Sequence, residues 1–268
     1  MRTAVITLAS GRHPHLAAQA AALARSTLAP DAYVVVAMHD PAVAAVVPDA
    51  EVVHVPRVQG CLPLAAARNA GAARAAALGA DLLVLLDVDC LPAPELLARY
   101  VAAAARHDGV LCGPVGYLPP PGPAGYPLDG LRALARAHPA RPVPADGEVL
   151  PAGDPNLFWS LSFALRPATW EQAGGFCEDY YGYGGEDTDF GHRLATKAIP
   201  TWWVGGAWAF HQHHGEPGPP VQNLDDVLRN AAVFHRRWGW WPMTGWLEEF
   251  HRRGLAAPDP VTGLWMRT

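Results

Sequence analysis

Three short stretches of this 268-residue chain carry carboxylates and imidazoles at spacings that chemistry could use. In the first, the apolar run LLVLL breaks abruptly into Asp87-Val88-Asp89. Residues i and i+2 of a strand share a face, so both carboxylates are expected to point together into a crevice at the carboxyl end of the strand. Two hard oxygen donors there suit Mg2+ or Mn2+ shared with phosphate oxygens. Aspartates that merely end a strand and cap a helix are the plainer alternative. In the second stretch, WAFHQHHGEP (208–217), His211, His213 and His214 follow a β-type run. Histidines three apart across a turn can converge on one ion, and imidazole beside carboxylate tilts the choice from Mg2+ toward Mn2+. Three surface histidines without a metal are the alternative. A metallohydrolase reading of HQHH leaves the Asp-Val-Asp turn without a role.

The third stretch, GGFCEDYYGYGGEDTDF (174–190), mixes glycines, aromatics and acids in a way that packing alone does not require. Gly182, Gly184 and Gly185 supply backbone freedom, and Glu186-Asp187-Thr188-Asp189 opens a helical pattern running to Lys197. Acids in a first turn suit the helix dipole, which accounts for one or two of them. A carboxylate on a mobile loop is also what a general base needs to deprotonate an incoming hydroxyl. The helix start should lower the pKa of Asp187, while Glu186 and Asp189 push it up. Phe158, Trp159, Tyr180, Tyr181 and Tyr183 are candidates to stack on the apolar face of a ligand ring, with Phe158 and Trp159 as a half-buried wall; plain core packing is the alternative.

These residues need a scaffold, and the chain supplies alternating β and α signals. Thr3–Ala9, Tyr33–Met38, Glu51–Val55 and Asp81–Asp87 read as short strands, each followed by an Ala-rich segment or a turn. That alternation predicts an α/β protein with a parallel, doubly wound sheet flanked by helices. The Pro/Gly-rich span 118–150 reads as an insertion loop with one short helix near Leu131–Ala137. An amphipathic helix is expected over Asn223–Trp238, followed by a tryptophan-rich tail. With half its residues apolar and 17% charged, the chain can bury one sizeable core. A net charge of −5 with scattered arginines gives no footprint for nucleic acid. No apolar run reaches membrane-spanning length. Cys61, Cys90, Cys112 and Cys177 lack CxxC spacing and MRTAVITLAS reads as a strand, so a reducing cytoplasm is the expected setting.

Taken in order, the first strand with its nearby Arg12, ARNAGAARA, the strand ending in DVD, GGFCEDYYGYGGEDTDF and the later HxxH resemble a GT-A-fold glycosyltransferase. The likeness is broad to family 2 and specific, through the GGF…GYGGEDTD block, to the galactosyltransferase-type branch (the family 7 C-terminal domain). It covers most of residues 1–240. The resemblance implies a single GT-A (Rossmann-like) catalytic domain over 1–240, its mostly parallel central sheet flanked by helices, with residues 241–268 packed on it as a tail. It further implies that Asp89 ligates the metal, that Asp87 contacts ribose or metal, and that His211 and His214 occupy the positions of the later metal ligands. Asp187 matches the general base and Glu186 the residue holding acceptor hydroxyls. Arg12, Asp40, Arg68 and Asn69 are the implied nucleotide-pocket residues. Tyr183 stands where the family usually has Trp, and TLASGRHPHL lacks the family's usual start.

The expected function is therefore a metal-dependent, inverting transfer of a sugar from a nucleotide-diphosphate donor, a UDP-sugar first, to an acceptor hydroxyl on a saccharide, natural product or peptide. Mn2+, or Mg2+, is the expected cofactor. A retaining transferase of the same fold and a nucleotide-sugar-binding protein without turnover are the alternatives.

Overall fold

The computed structural model describes residues 1–214 and 219–268. The chain opens as β1 (Thr3–Ala9), α1 (His13–Leu23), β2 (Ala32–Met38), the one-turn α2 (Val43–Val46), β3 (Glu51–Val55), α3 (Leu64–Ala77) and β4 (Leu82–Leu86). β1 and β4 are buried along their whole length, which is why they read as continuous apolar runs and not as alternations. Nine of the fourteen residues of α3 are Ala, a strong helix former whose small side chain lets the helix lie close on the sheet. At its middle, a Cβ on Gly71 would come within 2.5 Å of the Ile6 side chain on β1.

Then follow β5 (Cys90–Pro92), α4 (Leu96–Ala104), β6 (Val110–Cys112), β7 (Val115–Tyr117), the short α5 (Leu131–Leu134), β8 (Arg136–Ala137), β9 (Val149–Pro151), β10 (Ser162–Leu165) and α6 (Pro167–Ala173). The chain closes with α7 (Glu186–Thr196), β11 (Thr201–Val204), β12 (Ala209–His211), α8 (Leu224–Trp238), α9 (Thr244–Arg252) and the hairpin β13 (Ala256–Pro258) and β14 (Trp265–Arg267).

The central sheet has eight strands in the order β3-β2-β1-β4-β10-β6-β11-β9. Only β10 and β9 run against the others, so the expected mostly parallel sheet stands. The strand order reverses between β1 and β4, which leaves a crevice at their carboxyl ends. A second sheet, β5-β12-β7-β8, stands beside it and sets the HxxH strand next to the acidic turn, with His211 opposite Cys90.

Two details depart from the expectation. The helix expected over Leu131–Ala137 stops after one turn, and Arg136–Ala137 instead pair with Tyr117 and Gly116 on the edge of the second sheet. The 118–150 span is also more than a loop, because Val149 and Leu150 add an edge strand to the central sheet. Its local composition, rich in Pro and Gly, hides pairings that are made with distant strands. The tryptophan-rich end is folded: α9 and the β13–β14 hairpin bury Leu247, Phe250 and Ala256 against Leu224, Val227 and Ala231 of α8. Among the described residues, no helix is long and apolar enough to cross a membrane.

Candidate active site

β4 ends at Leu86, and the next residues form a turn in which the Cys90 N–H donates to the Asp87 carbonyl at 2.8 Å. Asp87 and Asp89 therefore do not share a strand face as the i, i+2 argument expects; the turn sends them to different partners. The buried Gln19 of α1 holds this turn by donating from Nε2 to the carbonyls of Asp87 (2.7 Å) and Cys90 (2.9 Å). Its Oε1 in turn accepts from the hydroxyls of Thr7 and Tyr33, both at 2.8 Å. Nothing in the local sequence signals Gln19, since the turn it holds lies some 70 residues away.

Asp89 turns toward the second sheet. Its Oδ2 lies 2.9 Å from Nε2 of His214, and its Oδ1 3.6 Å from Nε2 of His211. One ligand atom from each of the three residues falls within 4.8 Å of the others, which is the spacing of a metal site. The Arg12 guanidinium contacts Asp89 and reaches toward His214 Nδ1 at 3.5 Å. Burial alone would raise the Asp89 carboxyl; the hydrogen bond from His214 and the nearby His211 and Arg12 outweigh it and hold the group down at about 2. Burial lowers the pKa of His211, which keeps its ring neutral and its lone pair free. One carboxylate and two imidazoles fit a borderline divalent ion such as Mn2+. His213 does not join this group; its backbone N–H binds the Tyr126 hydroxyl at 2.9 Å. Gly215, Glu216 and Pro217 of the motif lie outside the described residues.

Asp87 turns instead toward Arg68 of α3, 3.5 Å away. Arg68, only 4% exposed, also pairs with Glu186 at 3.0 Å and donates to Ser160 Oγ at 2.8 Å. Burial pushes the Asp87 carboxyl up to about 6 despite Arg68. Burial, and then the neighbouring Glu186, push Asp187 up to about 7, against the pull of Arg68. Asp189, expected to share in that effect, faces the other way. It is fully buried and its Oδ1 accepts from Tyr180, Arg237 and Trp238, which fastens α7 to α8.

Arg68, Asp87, Glu186 and Asp187 line one end of a cavity of about 610 Å3 at the carboxyl edge of the sheet. Trp159, Tyr183, Trp240 and Trp246 line the remainder. Tyr117 borders both regions, lining the cavity while its ring centroid lies 5.1 Å from that of His211. Tyr183 is 41% exposed and stacks on Trp246 at 6.0 Å. Phe158 and Tyr180, expected as possible sugar-stacking surfaces, are core residues at 2% exposure each. Trp240, Met243 and Trp246 were missed as wall residues, because only the packing of α9 on α8 carries the tail to the cavity.

Two expected nucleotide contacts have other work. Asn69 brackets Phe176, accepting from its N–H at 2.8 Å and donating to its carbonyl at 2.9 Å, and it does not line the cavity. Asp40 accepts from the Gly11 N–H at 2.7 Å and pairs with His13 at 2.8 Å, which shapes the turn carrying Arg12.

The glycine-rich loop is also tied more firmly than its composition suggests. Asn230 Nδ2 donates to the carbonyls of Tyr181, Tyr183 and Gly184, and the Gly182 N–H donates to Leu62 at 2.8 Å. Gly182 and Gly184 serve close approach: both have positive φ (72° and 91°), and a Cβ would lie 2.2 Å from the Asp226 carboxylate and 3.1 Å from Met243 Sδ respectively.

Residues 155–206, which carry β10, the glycine-rich loop and α7, match the family model described as the N-terminal domain of galactosyltransferase. Over 80 residues the chain is 32% identical to validoxylamine A glucosyltransferase of Streptomyces hygroscopicus subsp. jinggangensis, a match covering 30% of this chain and 18% of that protein. The solved structure of GalNAc-T7 with UDP, GalNAc and Mn2+ superposes with a TM-score of 0.60 at 14% identity, covering 94% of this chain and 57% of that one. The mannosyltransferase PcManGT from Pyrobaculum calidifontis, in complex with GDP-Man and Mn2+, gives a TM-score of 0.55 at 18% identity over 90% of this chain and 66% of that one. The fold is that of the GT-A glycosyltransferases. The metal-type cluster, the acid pair and the aromatic cavity all sit along the crevice edge of this GT-A sheet.

Proposed function

We propose that the protein transfers a sugar from a nucleoside-diphosphate donor, a UDP-sugar first, to an acceptor hydroxyl with inversion at the anomeric carbon. The observation that carries this reading is the Asp89, His211 and His214 cluster set beside, through Tyr117, a cavity that Asp187 lines with its raised pKa. The matched glucosyltransferase segment and the nucleotides and Mn2+ named with the two superposed structures support it.

Asp89, His211 and His214 would hold the divalent ion, whose chemistry when bound is to neutralise charge on the leaving diphosphate. Arg12 stands beside that cluster and adds a positive charge on the leaving-group side. At the other end, Glu186 receives the acceptor hydroxyl while Arg68 fixes the direction of its carboxylate. Asp187 takes the hydroxyl proton as the acceptor oxygen bonds to the anomeric carbon. The bond from that carbon to the diphosphate oxygen breaks on the opposite face, and its electron pair leaves with the nucleotide. A base whose pKa sits near 7 is well matched to this task at neutral pH, being about half ionised yet still basic.

Proton NMR of the first product formed from an α-linked UDP-sugar checks the stereochemistry. A β-linked product is expected; an α-linked product would mean that Asp187 is not the base of a single displacement.

A further inference from the structure

The acceptor half of the cavity has two aromatic walls and, among the described residues, no free Arg or Lys of its own. One wall is Trp159, against whose ring His138 packs edge-on at 4.7 Å. The other is the stacked pair Tyr183 and Trp246, with Trp240 beside it. Trp240 is 39% exposed and rests on Phe234 of α8 at 4.6 Å, so its remaining surface is presented from a firm seat. Met243 presses its sulfur toward the backbone of Gly184 and closes the seam between the glycine-rich loop and α9.

The charges facing this space are one-sided. Asp87, Glu186 and Asp187 line it; Arg68, the only Arg or Lys among the described lining residues, is engaged by Asp87 and Glu186, and the lining imidazole of His138 packs edge-on against Trp159. Arg141 lies behind Trp159, 5.3 Å from its ring centroid, and does not line the cavity. An anionic acceptor would meet Glu186 and Asp187 with no unengaged Arg or Lys among the described lining residues to receive it, whereas a neutral ring gains stacking area and a positive group gains both carboxylates and cation–π contact.

We infer that the segment 240–246, which leads into and opens α9, builds the acceptor subsite, and that it selects a hydroxylated ring with an apolar face and no negative charge near the reacting hydroxyl. Trp246 and Trp240 are then the specificity-determining residues, supplied by the C-terminal segment and not by the glycosyltransferase-like segment 155–206. This assignment rests on the transferase reading of the same cavity.

Isothermal titration with 4-nitrophenyl β-D-glucoside and 4-nitrophenyl β-D-glucuronide, which differ only in one carboxylate, tests it on the full chain with UDP and Mn2+ present. The glucoside should bind at least tenfold more tightly than the glucuronide. Trp246→Ala should weaken glucoside binding at least tenfold with UDP–Mn2+ affinity unchanged, and Trp246→Phe should restore most of it. If Trp246→Ala fails to fold, Trp240→Ala carries the same expectation, and the glucoside–glucuronide comparison needs no variant. Equal affinity for the glucuronide, no glucoside binding, or unchanged affinity in both tryptophan variants overturns the inference. Should UDP–Mn2+ not bind while the glucoside order and its dependence on Trp246 hold, the subsite stands and the transferase reading falls.

Discussion

Asp187 and Arg68 concentrate the chemistry at the scale of single residues. Asp187→Asn is nearly isosteric, so the fold and donor binding should survive while kcat falls by about 10² or more, the usual worth of a general base; steady-state kinetics beside nucleotide titration checks both halves. In the wild type, kcat/KM should climb as pH rises through about 7, where Asp187 loses its proton, and that limb should vanish in the variant. The same shift has a stability consequence of definite sign. Because the folded protein raises the Asp187 pKa above its ordinary 3.8, folding is favoured while the group stays protonated, and that advantage is lost as pH rises from about 4 through about 7. Asp187→Asn should therefore melt close to wild type at pH 4 and above it at pH 8, a difference read by calorimetry. Arg68→Met is expected to act in the opposite sense. It strands Asp87 and Glu186 without their cation, and removing one partner of a buried pair costs roughly 3 kcal/mol or more. Denaturant melts should show the loss shrinking near pH 5, where Asp87 and Asp187 are protonated.

At the scale of elements, the acids stand where they do because α7 is fastened at both ends of its first turn. Asp189 ties it to α8, and the glycine-rich loop before it is stitched by Asn230. Asn230→Ala releases three carbonyls at once and should increase amide exchange across residues 178–185 while lowering kcat more than donor affinity. Unchanged exchange there would mean that the loop holds itself. Much of this scale was legible in sequence. β1 and β3 have the expected bounds, because short runs rich in Val, Ile and Thr closed by turn residues admit little else. The region 118–150 was not legible, since β8 and β9 are short and owe their existence to distant partners. The glycines were legible as special positions but not as to why: composition suggested mobility, whereas close approach to Asp226 and Met243 is what the packing demands. Likewise the DVD and HxxH motifs announced Asp89, His211 and His214, yet the separation of Asp87 from that group depends on a turn held by Gln19, which no local pattern reveals.

For the molecule as a whole, the GT-A sheet brings together a metal-type cluster, an acid pair and a C-terminal aromatic wall that are up to about 160 residues apart in sequence. Binding of donor and metal should stabilise the folded chain as a unit. A nucleotide at about 100 times its Kd adds roughly 2.7 kcal/mol, so UDP with Mn2+ should raise the melting temperature by several degrees. Asp89→Ala should abolish the part of that rise that depends on Mn2+, leaving melting in the absence of ligands as the control for its fold. The most direct test of the central claim is release of nucleoside diphosphate from a panel of UDP- and GDP-sugars incubated with the protein. With Mn2+ present, at least one donor should be turned over, a UDP-sugar foremost, and EDTA should stop it. Folded protein that releases no nucleoside diphosphate from any donor, or releases it equally fast in EDTA, would contradict the account.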